Sequence, residues 1–103
     1  MAFQRIVTRV LPDGTTRKVY PFHISLEGME STLLCRDDED YDQLEKCIYV
    51  SAWKGNCLVI IEIVMSNHGH CSVLAEDMES AYRVGMLIKK RHSQYLAWKY
   101  NDL

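Results

Sequence analysis

Residues 57–75 constrain the fold most, because they consist of two apolar runs joined by a polar corner, CLVIIEIVMSNHGHCSVLA. A Val/Ile-rich run such as 57–65 predicts a central β-strand that is covered on at least one side. The second run, 69–75, is expected to return beside it as an antiparallel strand, with residues 66–67 at the corner. The two strands should therefore form the middle of a sheet.

Two further strands are predicted ahead of this pair, at 3–11 and 16–26. They flank Pro-Asp-Gly at 12–14, where proline presets φ and glycine accepts the positive φ of a tight turn. Pro21 favours an edge position or a bulge in the second strand. His23 lies on the same strand, where a partly buried residue with one hydrogen bond is favoured over a metal ligand.

Two helices are predicted, from Asp37 to about Lys54 and from about 78 to 99. Asp37 is a good N-cap, and the acidic residues 38–40 favour a solvated first turn over a metal site. Residues at helical spacing give each helix one apolar stripe. The first stripe contains Tyr41, Leu44, Cys47, Ile48 and Ala52. The second contains Val84, Leu87, Ile88, Tyr95 and Trp98.

The order strand, strand, helix, strand, strand, helix predicts an α+β protein. We expect an antiparallel sheet with both helices packed on one face, of ferredoxin-like character, and a free face left for a ligand or a second subunit. A chain of 103 residues is long enough for one domain with its own core, so 1–103 is taken as a single domain.

Composition and cysteine spacing indicate a cytoplasmic protein. Hydrophobic residues make up 48% and charged residues 25%, as in ordinary globular proteins. No secretory signal is visible at the N-terminus, and no run reaches the roughly 18 apolar residues of a membrane span. The four cysteines form no Cys-x-x-Cys zinc pair, so we expect buried, reduced thiols rather than a disulfide. They are Cys35, Cys47, Cys57 and Cys71.

His68 and His70 are the side chains in this sequence whose arrangement best suits metal binding or catalysis. Side chains two apart on a strand point to the same face, so both rings are expected close enough to bind one divalent ion. Two imidazoles do not complete a site, and a third ligand must come from elsewhere. Two polar residues at the start of a strand remain the alternative interpretation.

The last helix is strongly basic. Between Ala81 and Tyr100 there are five basic residues and no acid, whereas the first helix begins with acids. Cations interleaved with aromatic rings suit a nucleic acid, although a solvated basic face is an equal alternative. The candidate DNA-binding residues are Arg83, Lys89, Lys90, Arg91 and Tyr95.

Residues 65–70, Met-Ser-Asn-His-Gly-His, with the apolar strand after them, resemble the HUH motif of small single-tyrosine transposases. The closest resemblance is to the REP-associated tyrosine transposases and their insertion-sequence relatives. The similarity extends to 20–29, 35–41 and 88–101, and covers residues 17–101. It implies metal-dependent cleavage and rejoining of single-stranded or hairpin DNA in transposition. His68 and His70 would hold Mg²⁺ or Mn²⁺, and a tyrosine would form a 5′-phosphotyrosine link.

Two departures from the family pattern bear on activity. Gly69 replaces a bulky hydrophobic residue, which is expected to loosen packing behind the site. The family's nucleophilic tyrosine lies in a later helix that is not found before Leu103, and Tyr95 or Tyr100 would be a substitute. We therefore expect the N-terminal metal- and DNA-binding part of such a transposase, inactive alone.

Two other hypotheses stay open at this point. One is a non-catalytic nucleic-acid-binding protein with the same fold. The other is an unrelated α+β homodimer whose histidine pair is structural. An incomplete domain exposes apolar surface, which also favours a homodimer.

Overall fold

The computed structural model describes residues 7–27 and 33–100, and its elements follow the predicted order. They are β1 (Val7–Val10), β2 (Thr16–Glu27), α1 (Asp38–Lys54), β3 (Leu58–Val64), β4 (His68–Ala75) and α2 (Met78–Tyr100). The first four residues of the predicted strand 3–11 lie outside the described residues. The predicted bounds of both helices agree with the structure to within one residue.

The four strands form one antiparallel sheet in the order β1-β2-β4-β3. The prediction that 57–65 is a central strand is wrong, because β3 lies at the edge and β2 and β4 are interior. A register shift between Val59 and Ile61 explains the misleading apolar run. Beyond the shift, Ile61 and Ile63 are about half exposed, whereas Glu62 pairs with the buried Cys71. The run is therefore covered on one side only.

The turn between β1 and β2 has the predicted chemistry. Gly14 adopts φ +85°, and the Asp13 carboxylate accepts a hydrogen bond from the Thr15 amide at 2.9 Å. Asn56, just after α1, donates its side-chain amide to Asp13 Oδ2 at 2.8 Å. Asn56 itself has φ +57°, so it turns the chain out of the helix in the left-handed conformation that asparagine tolerates. The hairpin turn is thus tied to the end of α1.

Both helices pack on one face of the sheet, as predicted. Along β4, alternate residues from Gly69 to Ala75 are buried against them. The α1 stripe buries Leu44, Cys47, Ile48, Ser51 and Ala52. The α2 stripe buries Ala81, Val84, Gly85, Ile88, His92 and Leu96. The prediction that Trp98 belongs to the core is wrong: it is 77% exposed, because the buried stripe advances by four residues through His92 to Leu96.

The start of α1 is joined to the end of α2 through the side chain of Asp40. Asp37 caps the helix as predicted, accepting the Asp40 amide at 2.9 Å. The prediction of a solvated first turn is wrong for Asp40, which is 0% exposed. Its carboxylate accepts hydrogen bonds from Tyr95 (2.8 Å), Lys99 (2.9 Å) and Tyr100. The opposite charges of the two helices are therefore partly paired within the molecule.

All four cysteines are buried and free, in agreement with the sequence analysis. Burial raises the pKa of the Cys35, Cys57 and Cys71 thiols to about 11, so they stay protonated near neutrality. Neither of the two described helices has the length and apolarity that crossing a membrane would require.

Candidate functional site

The face of the sheet away from the helices carries three histidines. His68 and His70 of β4 alternate with the buried Gly69 and Cys71, so their side chains share the open face, as predicted. His23 of β2 lies on the same face, because it pairs with Ser72 while the neighbouring Ser25 pairs with His70. We call these three residues, His23, His68 and His70, the histidine cluster.

Within the cluster, His70 makes its polar contact with His23. The His23 Nε2 and His70 Nδ1 atoms are 3.0 Å apart, and the rings stack with centroids 5.0 Å apart at 28°. His68 meets the His70 ring edge-on at 5.3 Å, and its Nδ1 contacts Asn67 Oδ1 at 2.8 Å. His23 is predicted to be a partly buried strand residue, whereas in the structure it is exposed and is the direct neighbour of His70.

Gly69 is fitted closely against the adjacent strand. A Cβ atom at this position would lie 3.3 Å from the Ile63 carbonyl oxygen and 3.6 Å from the Val64 Cα. The expected loosening behind the site is therefore not found, because the β3 backbone occupies the space that a larger residue would need. The backbone of β3 therefore lies directly against β4 at Gly69, between His68 and His70.

The donors of the cluster suit a divalent ion that accepts imidazole, but they lack the oxygen ligands that Mg²⁺ prefers. Glu27 pairs with His68 across the β2–β4 ladder, yet none of the described hydrogen bonds or ion pairs joins a carboxylate to a cluster histidine. Over residues 7–27 and 33–100, no group of three or more His, Cys, Asp or Glu is arranged to hold a metal ion. The expected Mg²⁺ therefore lacks its usual ligand set here.

The predicted basic residues line three grooves, two of which share Leu87 of α2. Lys89 lines a groove of about 360 Å³ between β2 and α2, which His23 and Ser25 also line. Lys90 and Arg91 line a separate groove on α2, together with Gln43 of α1. The remaining two have other contacts: Arg83 pairs with Glu79 at 2.5 Å, and Tyr95 binds Asp40. Lys89 is thus the member of the predicted set that a groove joins to the histidine cluster.

Neither substitute nucleophile is placed to attack a phosphate at the histidines. Tyr95 and Tyr100 both donate to Asp40 in the helical layer, on the opposite side of the sheet. Burial and the contact with Asp40 raise the pKa of both hydroxyls, which keeps them protonated. These contacts indicate a structural role for both tyrosines, which join α2 to Asp40 of α1.

No family model, curated protein or solved structure matches this chain.

Proposed function

We propose that this chain is the DNA-binding part of a transposase of the HUH type, which acts on single-stranded or hairpin DNA. The observation that carries the proposal is the position of His68 and His70, side by side on the uncovered face of the interior strand β4. The order β2-β4-β3, with α1 connecting β2 to β3, also agrees with a ferredoxin-like arrangement. A site built on an interior strand is held rigidly, as recognition of a phosphate requires.

The open face and the adjoining groove give a nucleic-acid strand two kinds of contact. Imidazole nitrogens and the Ser25 and Ser72 hydroxyls supply polar groups along β2 and β4. Lys89, which is exposed in the groove beside His23, supplies positive charge for a backbone phosphate. A divalent ion bound at the histidines would add positive charge on the open face of the sheet.

The proposed activity is DNA binding without cleavage by this chain alone. The two tyrosines considered as nucleophiles are bound to Asp40 on the far side of the sheet. The reaction would therefore need a nucleophile other than Tyr95 and Tyr100.

Fluorescence anisotropy with a labelled hairpin that has a single-stranded flank tests this proposal. Binding should weaken as salt rises, and Lys89→Glu should reduce the slope of log K against log salt by about 1, the loss of one phosphate contact. Lys46→Glu is the matched control, since Lys46 is an exposed lysine on α1 away from the groove. Affinity that is independent of salt, or equal losses in the two variants, would contradict the proposal.

A homodimer is the second candidate, and the apolar edge strand β3 favours it. Ile60, Ile61 and Ile63 are 53%, 55% and 52% exposed, and the described part of the chain places no strand on the outer side of β3. The strand contains no lysine or proline, the residues that usually protect an exposed edge. A second copy pairing along β3 would satisfy its free backbone groups and cover the isoleucines.

Sedimentation equilibrium distinguishes this candidate. We expect wild type to dimerise and Ile61→Lys to stay monomeric. The control is Val10→Lys on the opposite edge, where the replaced side chain is 64% exposed. A wild-type protein that is monomeric at every concentration measured would exclude the dimer.

A further inference from the structure

The strongest unexplained feature of the molecule is the contact between His23 and His70. The two residues come from β2 and β4, and neither the turn chemistry nor the core needs them together. His23 pairs with Ser72, so it lies diagonally across from His70, and both rings turn toward each other to bring Nε2 and Nδ1 within 3.0 Å. A contact of this length fits one ring N–H donating to the other ring nitrogen, and an ion that replaced that proton would bind both nitrogens.

We propose that His23 and His70, rather than His68 and His70, supply the two ring nitrogens that hold a divalent ion on this protein. Two nitrogens bound at about 2.1 Å to one zinc ion lie about 3.4 Å apart at the tetrahedral angle. The His23 and His70 nitrogens are 3.0 Å apart, so the two rings would separate slightly to admit the ion. None of the described hydrogen bonds joins a ring nitrogen of His68 to His23 or His70; the Nδ1 atom of His68 contacts Asn67 Oδ1 instead, at 2.8 Å.

The donor chemistry also selects the class of ion. Imidazole is a ligand for Zn²⁺, Ni²⁺ and Cu²⁺, whereas Mg²⁺ and Mn²⁺ prefer carboxylate, carbonyl and water oxygens. None of the described contacts brings a carboxylate to either ring, and two protein nitrogens leave the other coordination positions to water. We therefore assign the pair to the zinc-like ions. The inference refines the ion site of the proposed function, but the metal affinity can be measured without DNA.

Titration calorimetry with zinc chloride on the full chain tests the assignment. We expect His23→Ala and His70→Ala each to lower the Zn²⁺ affinity by about ten-fold or more, since lost supporting contacts alone cost that much at metal sites. His68→Ala is the matched control and should change the affinity less than about three-fold, because His68 meets the His70 ring only edge-on and supplies no nitrogen to the proposed pair. Magnesium chloride should give no competing heat.

Nitrogen chemical shifts of the histidine rings give an independent measurement. Zinc should move the resonances of His23 Nε2 and His70 Nδ1 together, and leave those of His68 near their starting values. Unchanged thermal midpoints of the three variants would show that they fold, which is expected because His23 and His70 are exposed and His68 is only half-buried.

The assignment is overturned if His68→Ala abolishes zinc binding while His23→Ala binds like wild type, or if Mg²⁺ competes on equal terms. It is also overturned if wild type does not bind zinc. The proposed function can fail separately. Zinc binding by His23 and His70 without any affinity for hairpin DNA would refute DNA binding and leave the assignment of the zinc ligands unchanged.

Discussion

Replacing Asp40 by asparagine should destabilise this protein more than replacing any other charged residue of α1. The carboxylate is 0% exposed and accepts hydrogen bonds from the Arg36 amide (2.9 Å), the Tyr95 hydroxyl (2.8 Å), the Lys99 ammonium (2.9 Å) and Tyr100. Asparagine keeps the shape, but it removes the charge and turns an amide donor toward groups that also donate.

The magnitude follows from the hydrogen bonds that the carboxylate accepts. Lys99 keeps Asp37 at 2.8 Å and Glu39 at 3.1 Å as partners in the variant, so the cost is that of leaving the buried hydrogen-bonding groups around residue 40 poorly satisfied, about 1–3 kcal/mol. A domain of this size is stable by about 5–15 kcal/mol, so the variant should lose a measurable fraction of its free energy of unfolding. Urea unfolding followed by circular dichroism at pH 7 measures the difference directly.

The pH dependence gives the same prediction a sign. Burial alone would raise the pKa of Asp40, but the hydrogen bonds from Tyr100, Lys99, the Arg36 amide and Tyr95 outweigh it and lower the pKa below the ordinary 3.8. The Asp40 carboxylate therefore makes its full contribution to the free energy of unfolding above about pH 4, and this contribution is lost as the pH falls further. The gap between wild type and Asp40→Asn should close over that acidic range.

The control is Asp42→Asn, an exposed acid two positions along the same helix, whose effect should stay within about 0.5 kcal/mol. The reasoning is refuted if Asp40→Asn lowers the free energy of unfolding by less than about 1 kcal/mol at an unchanged urea slope.

Two other predictions concern His92 and Gly69. Burial lowers the pKa of His92 below 6.5, although the hydrogen bond to the Leu34 carbonyl at 2.6 Å and the charge of Asp40 act to raise it. The neutral His92 ring therefore contributes its full stability above pH 6.5, and this contribution is lost as the pH falls. The thermal midpoint should therefore drop between pH 7 and pH 5, and His92→Gln should flatten this drop; equal pH profiles would contradict it. Gly69→Val should destabilise by about 1–3 kcal/mol, since its first carbon meets the Ile63 carbonyl at 3.3 Å. Urea unfolding measures this, and a neutral result would mean that β3 moves freely.

Local signals in the sequence predict most of the elements correctly. The Pro-Asp-Gly turn, the Asp37 cap and the helical spacing of the core residues depend on neighbours in the chain, so each can be inferred without a partner. The bounds of α1 and α2 follow from them. His68 and His70 share a face for the same reason, since alternation along one strand is a local property.

Features that depend on distant pairing could not be predicted in this way. A Val/Ile run does not reveal whether a neighbouring strand covers it, so the run in β3 predicts a central strand although β3 lies at the edge of the sheet. The meeting of His23 with His70 depends on the β2–β4 register across 47 positions. The burial of Asp40 could not be predicted from its neighbours in the helix, because its partners Tyr95 and Lys99 come from the other end of the chain.

The register between β2 and β4 has a consequence for ligand binding. Since His23 and His70 meet only when these two strands are paired, the unfolded chain contains no such pair of nitrogens. An ion that binds both rings must therefore stabilise the native state, and the unfolding midpoint should rise with its concentration. The two histidines would then act as a reversible crosslink between β2 and β4 whose strength is set by the supply of metal.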